Sequence, residues 1–267
     1  MLKIKLGPAG SPKKSTIDGI EFVKKVELQS LEVEYVRGIH MGLELAKQVG
    51  ELAKKLDIKL SVHAPYYINL SSKDKKKIED SKKRIFMSCE RANLMNANVV
   101  VFHPGYYMEQ NKEDVLDMIK DACDDLVKEM NEKHIKNVNL ALETSGKINS
   151  FGTVQEIIDI CKHNKRCIPC IDFAHIYAYN KGKIDYSDLF DLFKVLNLEH
   201  YHCHFSGIQF SDKGERNHIN MSKPDFNELA KEILKRKLNI TIISESPITY
   251  LDSLKQKKIL IDLGYEF

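Results

Sequence analysis

Apolar, β-branched runs recur along the chain at intervals of about 30 to 40 residues, each followed by a turn and a stretch with helical spacing. The runs are Leu2 to Leu6, Leu31 to Val36, Ile58 to His63, Asn98 to His103, Val138 to Glu143, Cys167 to Asp172, His200 to Phe205 and Ile240 to Glu245. After the third run Ile78, Ile85, Cys89 and Ala92 fall on one helical face, and after the fourth so do Val115, Ile119, Ala122 and Leu126. Asp188 and Asp225 lie near helix starts, where a carboxylate favours the dipole. Strand followed by helix, repeated, predicts a parallel sheet. No linker or composition break divides the chain, so residues 1–267 are expected to form one domain. Eight such units in roughly 260 residues fit a (β/α)8 TIM barrel, with a doubly wound open sheet as the alternative.

Composition narrows this little. The 267 residues carry 41 Lys plus Arg against 38 Asp plus Glu, a net charge of +3 that by itself argues for no nucleic-acid partner. No run approaches the roughly 18 apolar residues of a membrane span, and Met1 to Gly10 lacks the apolar core of a signal peptide. A cytoplasmic protein with reduced cysteines is expected. Strand alternation sends Cys170 and Asp172 to one face and Cys167 to the other, so the Cys167-x-x-Cys170 pair reads as structural.

The strand ends carry the chemistry. His63, His103, Glu143, Asp172, His204 and Glu245 close strands three to eight, and a barrel brings those ends to one face. A lone histidine there is more often structural. Six metal-capable side chains at equivalent positions are not what packing alone selects. His175, in Asp-Phe-Ala-His, and the loop Gly214-Glu215-Arg216-Asn217-His218 add further ligands beyond strands six and seven, too many for one tetrahedral ion. His202, two residues before His204, is expected one layer deeper, in a supporting role. Glu32 and Glu34 on strand two and Lys3 and Lys5 on strand one are read as neighbouring interior ion pairs. Lys73 to Arg84 reads as a solvated helix face.

These segments resemble the endonuclease IV family of apurinic/apyrimidinic endonucleases, within the xylose-isomerase-like barrels. The matching stretches are His63-Ala-Pro-Tyr66-Tyr67-Ile-Asn69-Leu, Val-Phe-His103-Pro-Gly105, Leu-Glu143-Thr-Ser-Gly146, Ile-Asp172-Phe-Ala-His175, His204-Phe-Ser-Gly and Ser-Glu245-Ser-Pro247. The resemblance implies that His63, His103 and Glu143 hold one zinc, and that Glu143 bridges to a second held by Asp172, His204 and Glu245. His175, Glu215 and His218 would hold a third, with manganese able to replace one of the ions. The family has Asp-x-His where this chain has Glu215-Arg216-Asn217-His218, which puts the third ion in question. The implied reaction is hydrolysis of the DNA phosphodiester 5′ to an abasic site by a metal-bridging hydroxide, with Glu143 as the catalytic bridge. Its partner would be double-stranded DNA containing abasic sites, contacted by Tyr66, Tyr67 and Arg37, with no obligate protein partner and no membrane. With no Trp in the chain, stacking falls to Tyr or Phe, including Tyr106 and Tyr107.

Two other readings compete. A single-metal sugar isomerase or epimerase of the same barrel group would need only Glu143, Asp172, His204 and Glu245, and leaves His63 and His103 without a task. A barrel that only binds DNA would not need converging buried carboxylates.

Overall fold

The computed structural model describes residues 2–267. Its elements run β1 (Ile4–Pro8), α1 (Thr16–Lys25), β2 (Ser30–Glu34), α2 (Leu43–Leu56), β3 (Lys59–His63), α3 (Lys75–Leu94), β4 (Val99–Phe102), α4 (Lys112–Glu132), β5 (Asn139–Glu143), α5 (Val154–His163), β6 (Cys167–Asp172), α6 (Phe173–Tyr179), α7 (Tyr186–Phe193), β7 (Tyr201–Phe205), β8 (Gly207–Ser211), β9 (Gly214–Ile219), α8 (Phe226–Arg236), β10 (Ile240–Ser244) and α9 (Tyr250–Asp262). Helix starts are set by side-chain caps: Ser15, Asp74, Asn111, Asp185 and Asp225 each accept from a backbone N–H, and Thr153 with Glu156 forms a capping box. Asp225 is thus the cap of α8, whereas Asp188 sits inside the first turn of α7 and Asp185 caps it.

Eight strands pair in parallel in the order β1-β10-β7-β6-β5-β4-β3-β2. The last seam closes the sheet on itself: Ala9 bridges Glu32, Gly10 N–H donates to Glu32 O at 2.9 Å, and Gln29 N–H donates to Leu6 O at 3.0 Å. The result is the expected TIM barrel. At this seam a Cβ on Gly7 would lie 1.8 Å from Ser30 O, so only glycine lets β1 approach β2.

Alternation then divides the side chains. Leu6, Leu31, Leu60, Leu140, Ile171, Cys203 and Ile242 are buried outward, in the large core that includes the helices, whereas Val99, Val101, Ala141 and Cys170 form a small cluster of their own inside. Cys167 belongs to the outer core and Cys170 to the inner cluster, as alternation requires, and all six cysteines are free and buried. Elsewhere the interior is polar, with Glu32, Ser61, His202 and Thr241 buried.

The expected ion pairs between strands one and two do not form. Glu32 stands level with Ala9, which places Lys5 four residues, about 13 Å, farther down the strand. Lys3 is exposed, and among the described residues neither lysine has an ion-pair partner. Glu32 is instead met by Ser61 Oγ–H at 2.6 Å and by His202 Nε2 at 2.9 Å. The exposed Lys-rich opening of α3 is a solvated face, as anticipated.

Gly7→Ala should open the seam and cost about 3 kcal/mol or more, because the obstruction is backbone. Gly42→Ala, with no atom within 4 Å of its new Cβ, should stay within about 1 kcal/mol. Urea unfolding of the two variants checks the contrast; equal losses would mean that the seam does not depend on Gly7.

Candidate metal centre

The wide end of the barrel collects the strand-end side chains because parallel strands deliver their C-terminal ends to one face. His63, Glu143 and Asp172 are the last residues of β3, β5 and β6, His204 lies in β7, and His103 and Glu245 directly follow β4 and β10. They line or underlie an open cavity of about 510 Å³ whose wall also includes Glu34, Tyr66, Tyr106, Lys147, His175, Glu215 and His218.

Glu143, fully buried, is the hub. Its Oε2 lies 3.2 Å from His63 Nε2 and 3.3 Å from His103 Nε2, and its Oε1 lies 3.2 Å from His175 Nδ1 and 3.3 Å from His204 Nδ1. His204 Nδ1 is also 3.2 Å from Glu245 Oε1. Donor atoms sharing a tetrahedral zinc-type ion, each bonded at about 2.0–2.1 Å, sit about 3.3 Å apart. The His63, His103 and His204 separations match that spacing and exceed the usual charge-assisted hydrogen bond of about 2.7–2.9 Å. Donor atoms of His63, His103 and Glu143 cluster within 4.8 Å of one another, as do those of Glu143, Asp172, His204 and Glu245, and those of Asp172, His175 and His218.

The rings are oriented for this. His63 Nδ1 pairs with Ala64 O at 2.8 Å and His175 Nδ1 with Thr144 O at 3.0 Å, which leaves the Nε2 atoms facing the cavity. Asp172 Oδ2 and Glu215 Oε2 are buried and lack a hydrogen-bond partner, an arrangement costly unless a cation completes it.

The hairpin β8–β9 was not legible as such in the sequence; it resolves the unusual loop spacing. Phe210 pairs with Glu215 and Gln209 with Asn217, so Arg216 is a bulge with no opposite residue. Skipping Arg216 restores the two-residue spacing of a strand face, and Glu215 and His218 both reach His175: Glu215 Oε2 lies 2.9 Å and His218 Nε2 3.2 Å from His175 Nε2. Space for the longer acid comes from Gly146, where a Cβ would lie 2.3 Å from Glu215 Oε2. His218 is further oriented by Ser206 Oγ, 2.6 Å from its Nδ1.

Burial alone would raise Glu143, but His103 and His204 outweigh it and hold the carboxyl well below its usual range. Burial raises Asp172 to about 6 and Glu34 to about 8. Burial also works against a charged His63, yet Glu34 and Glu143 overcome it and lift the ring to about 10. His202 lies where alternation placed it, buried below His204 and bonded to Glu32. Glu32 and Glu34 point into this interior too, with Glu34 on the cavity wall. Tyr66 and Tyr67 are 54% and 64% exposed at the rim, and Arg37 is exposed. Tyr106 is 43% exposed and lines the cavity, whereas Tyr107 is buried with its hydroxyl on Glu156 at 2.7 Å. The two tyrosines therefore part company, and only Tyr106 offers a free ring.

A cation entering must displace protons from Asp172, raised to about 6, and His63, raised to about 10. Both groups bind protons more tightly than their ordinary values, so divalent-cation affinity should climb most steeply below about pH 6, where both protons compete, and go on climbing toward about pH 10 as His63 loses its own. Calorimetry in buffers of different ionisation enthalpy should show proton release; a pH-independent affinity would contradict it. Gly146→Ala should push Glu215 away from His175 and weaken one bound cation by about tenfold or more while leaving the others unchanged, as read by chelator competition.

The model of the family described as xylose isomerase-like TIM barrel matches residues 17–260. An uncharacterized protein of Methanocaldococcus jannaschii is 33% identical over 96% of this chain and 97% of its own length. A probable endonuclease 4 of Mycoplasma genitalium is 30% identical over 72% of this chain and 68% of its own. Among solved structures, a D-tagatose 3-epimerase-like protein superposes with a TM-score of 0.73 at 19% identity over 97% of this chain and 96% of that one. Endonuclease IV from Thermus thermophilus does so with 0.72 at 16% identity over 97% and 98%. At such identities the superpositions speak for the fold alone, and no helix among the described residues is long and apolar enough to cross a membrane. With a matching family model over most of its length and an endonuclease 4 relative covered over two thirds, the chain belongs to the xylose isomerase-like TIM barrels and, within them, to the endonuclease IV family.

Proposed function

We propose that this protein is a zinc-dependent endonuclease that hydrolyses the phosphodiester 5′ to abasic sites in duplex DNA. One observation carries the reading. Beyond the four donors Glu143, Asp172, His204 and Glu245 that a single-metal isomerase uses, His63 and His103 close on Glu143 Oε2 at 3.2 and 3.3 Å, and a further cluster gathers at Asp172, His175 and His218, with Glu215 Oε2 beside it, 2.9 Å from His175 Nε2. A second reading, as a sugar epimerase, draws on the tight grouping of those four donors alone.

In this reading His63, His103 and Glu143 hold one ion, Glu143, Asp172, His204 and Glu245 a second, and His175, Glu215 and His218 a third. Zinc suits the mixture of imidazole and carboxylate donors, and manganese could occupy one position. Such ions, when bound, supply a nucleophile at neutral pH and neutralise charge on the phosphoryl and leaving oxygens. The chain's own residues set the geometry. Glu143 divides its two oxygens between His63 and His103 on one side and His175 and His204 on the other, so it would be shared by the ligand sets of the first two ions. Tyr66 and Tyr67, exposed on the rim, and Arg37 would contact the DNA, with the Tyr66 ring 6.0 Å from that of His63. An abasic nucleotide has neither stacking nor pairing to lose, so drawing it into a cavity of this size costs less than drawing in an intact one.

An end-labelled duplex with one abasic site should be cut immediately 5′ to the lesion, leaving a 3′ hydroxyl. Chelation should abolish the cut and zinc restore it, and the undamaged duplex should stay whole. Glu143→Gln should lower the rate by about 10²–10³-fold with unchanged circular dichroism. No incision by zinc-loaded protein, together with interconversion of ketoses, would replace this reading with the epimerase one.

A further inference from the structure

Strand β2 supplies none of the donors named so far, yet it carries Glu32, a fully buried carboxylate with no lysine or arginine partner. We propose that Glu32 is a positioning residue for His204, fixing the tautomer and aim of its ring and so setting the affinity of the ion shared with Glu143, Asp172 and Glu245. This rests on the metal centre proposed above.

The geometry separates the two ends of the His204 ring. Nδ1 faces Glu143 Oε1 at 3.3 Å and Glu245 Oε1 at 3.2 Å, the spacing of two donors around a common ion. Nε2 faces Glu32 Oε1 at 2.8 Å, closer than two donors stand around a common ion; the approach is off the line of the ring N–H, and neither atom has a hydrogen-bond partner. A ring that keeps its proton on Nε2 presents the lone pair of Nδ1 to the cation. The other oxygen of Glu32 is fixed by Ser61 Oγ–H at 2.6 Å and His202 Nε2 at 2.9 Å. Ser61 and His202 therefore lock Glu32, and Glu32 locks His204.

His204 is treated differently from its neighbours. His63 and His175 each rest their Nδ1 on a backbone carbonyl, a neutral acceptor. A carboxylate acceptor makes the ring a stronger donor to metal and adds a negative charge one shell behind an ion that already has three carboxylates. The same cluster could be read as a deeper ion on Cys170, His202 and His204, whose donor atoms also lie within 4.8 Å of one another. His202 Nε2 is hydrogen-bonded to Glu32 at 2.9 Å and His204 Nε2 stands 2.8 Å from its other oxygen, both closer than two donors around a shared ion, which favours the positioning role.

The test is zinc competition against a chromophoric chelator, with no DNA present, on the full-length wild type and on Glu32→Gln. One ion should bind about 10- to 100-fold more weakly in Glu32→Gln, with the remaining stoichiometry unchanged. In the zinc-loaded wild type the ring N–H of His204 should be protected from exchange, and in the variant it should exchange freely. If Glu32→Gln does not fold, Ser61→Ala removes one of the bonds holding Glu32 and should weaken the same ion by a smaller, few-fold factor. Wild-type zinc affinity in a folded variant would overturn the proposal, as would an additional ion lost on Cys170→Ser. A wild type that binds zinc but fails to cut abasic DNA would overturn the endonuclease reading and leave this assignment standing.

Discussion

Placing a carboxylate at the centre of four imidazoles, with no solvent to share the charge, is the constraint around which this barrel is arranged. Glu143 has no exposed surface, and each of its oxygens serves two rings. An isolated ionised carboxylate could not survive there. It persists because His63, His103, His175 and His204 arrive from different elements, and they do so only because a closed parallel sheet brings those ends within reach. Closure in turn depends on β1 and β2 meeting at Gly7.

That arrangement exacts a cost in the interior. Much of the barrel lumen, which in this fold is usually filled with branched aliphatic residues, is given over to Glu32, Ser61, His202 and Thr241. Only the β4–β6 side keeps a small apolar cluster, around Val99, Val101, Ala141 and Cys170. Apolar burial is concentrated between strands and helices, where Phe173, Phe190, Phe205 and Phe226 lie in edge-on or tilted contacts. Stability and chemistry thus occupy concentric shells.

What the sequence disclosed was what depends on local pattern. Alternation identified the strands and set Cys167 and Cys170 on opposite faces, and the recurrence of His, Asp and Glu at strand ends located the centre. What it hid depends on register between distant segments. Glu32 and Lys5 look like neighbours until the stagger of the seam sets them about 13 Å apart along the strand. Glu215 and His218 look misplaced until the bulge at Arg216 is seen. Tyr106 and Tyr107 are adjacent in sequence and were indistinguishable there, because nothing local says which one finds Glu156.

The clustered side chains come from two pieces of β-structure. His63, Glu143, Asp172 and His204 belong to one continuous sheet, and His103 and Glu245 directly follow its strands, whereas Glu215 and His218 ride on the two-stranded ribbon of β8 and β9. The ribbon follows the sheet at Ser206, and its tip is fastened to the loop after β5 by Glu215 N–H on Gly146 O at 2.9 Å and by the Lys147–Gly214 bridge. A change of length or bulge in the ribbon must therefore be matched by space opposite it, as Gly146 is matched to Glu215.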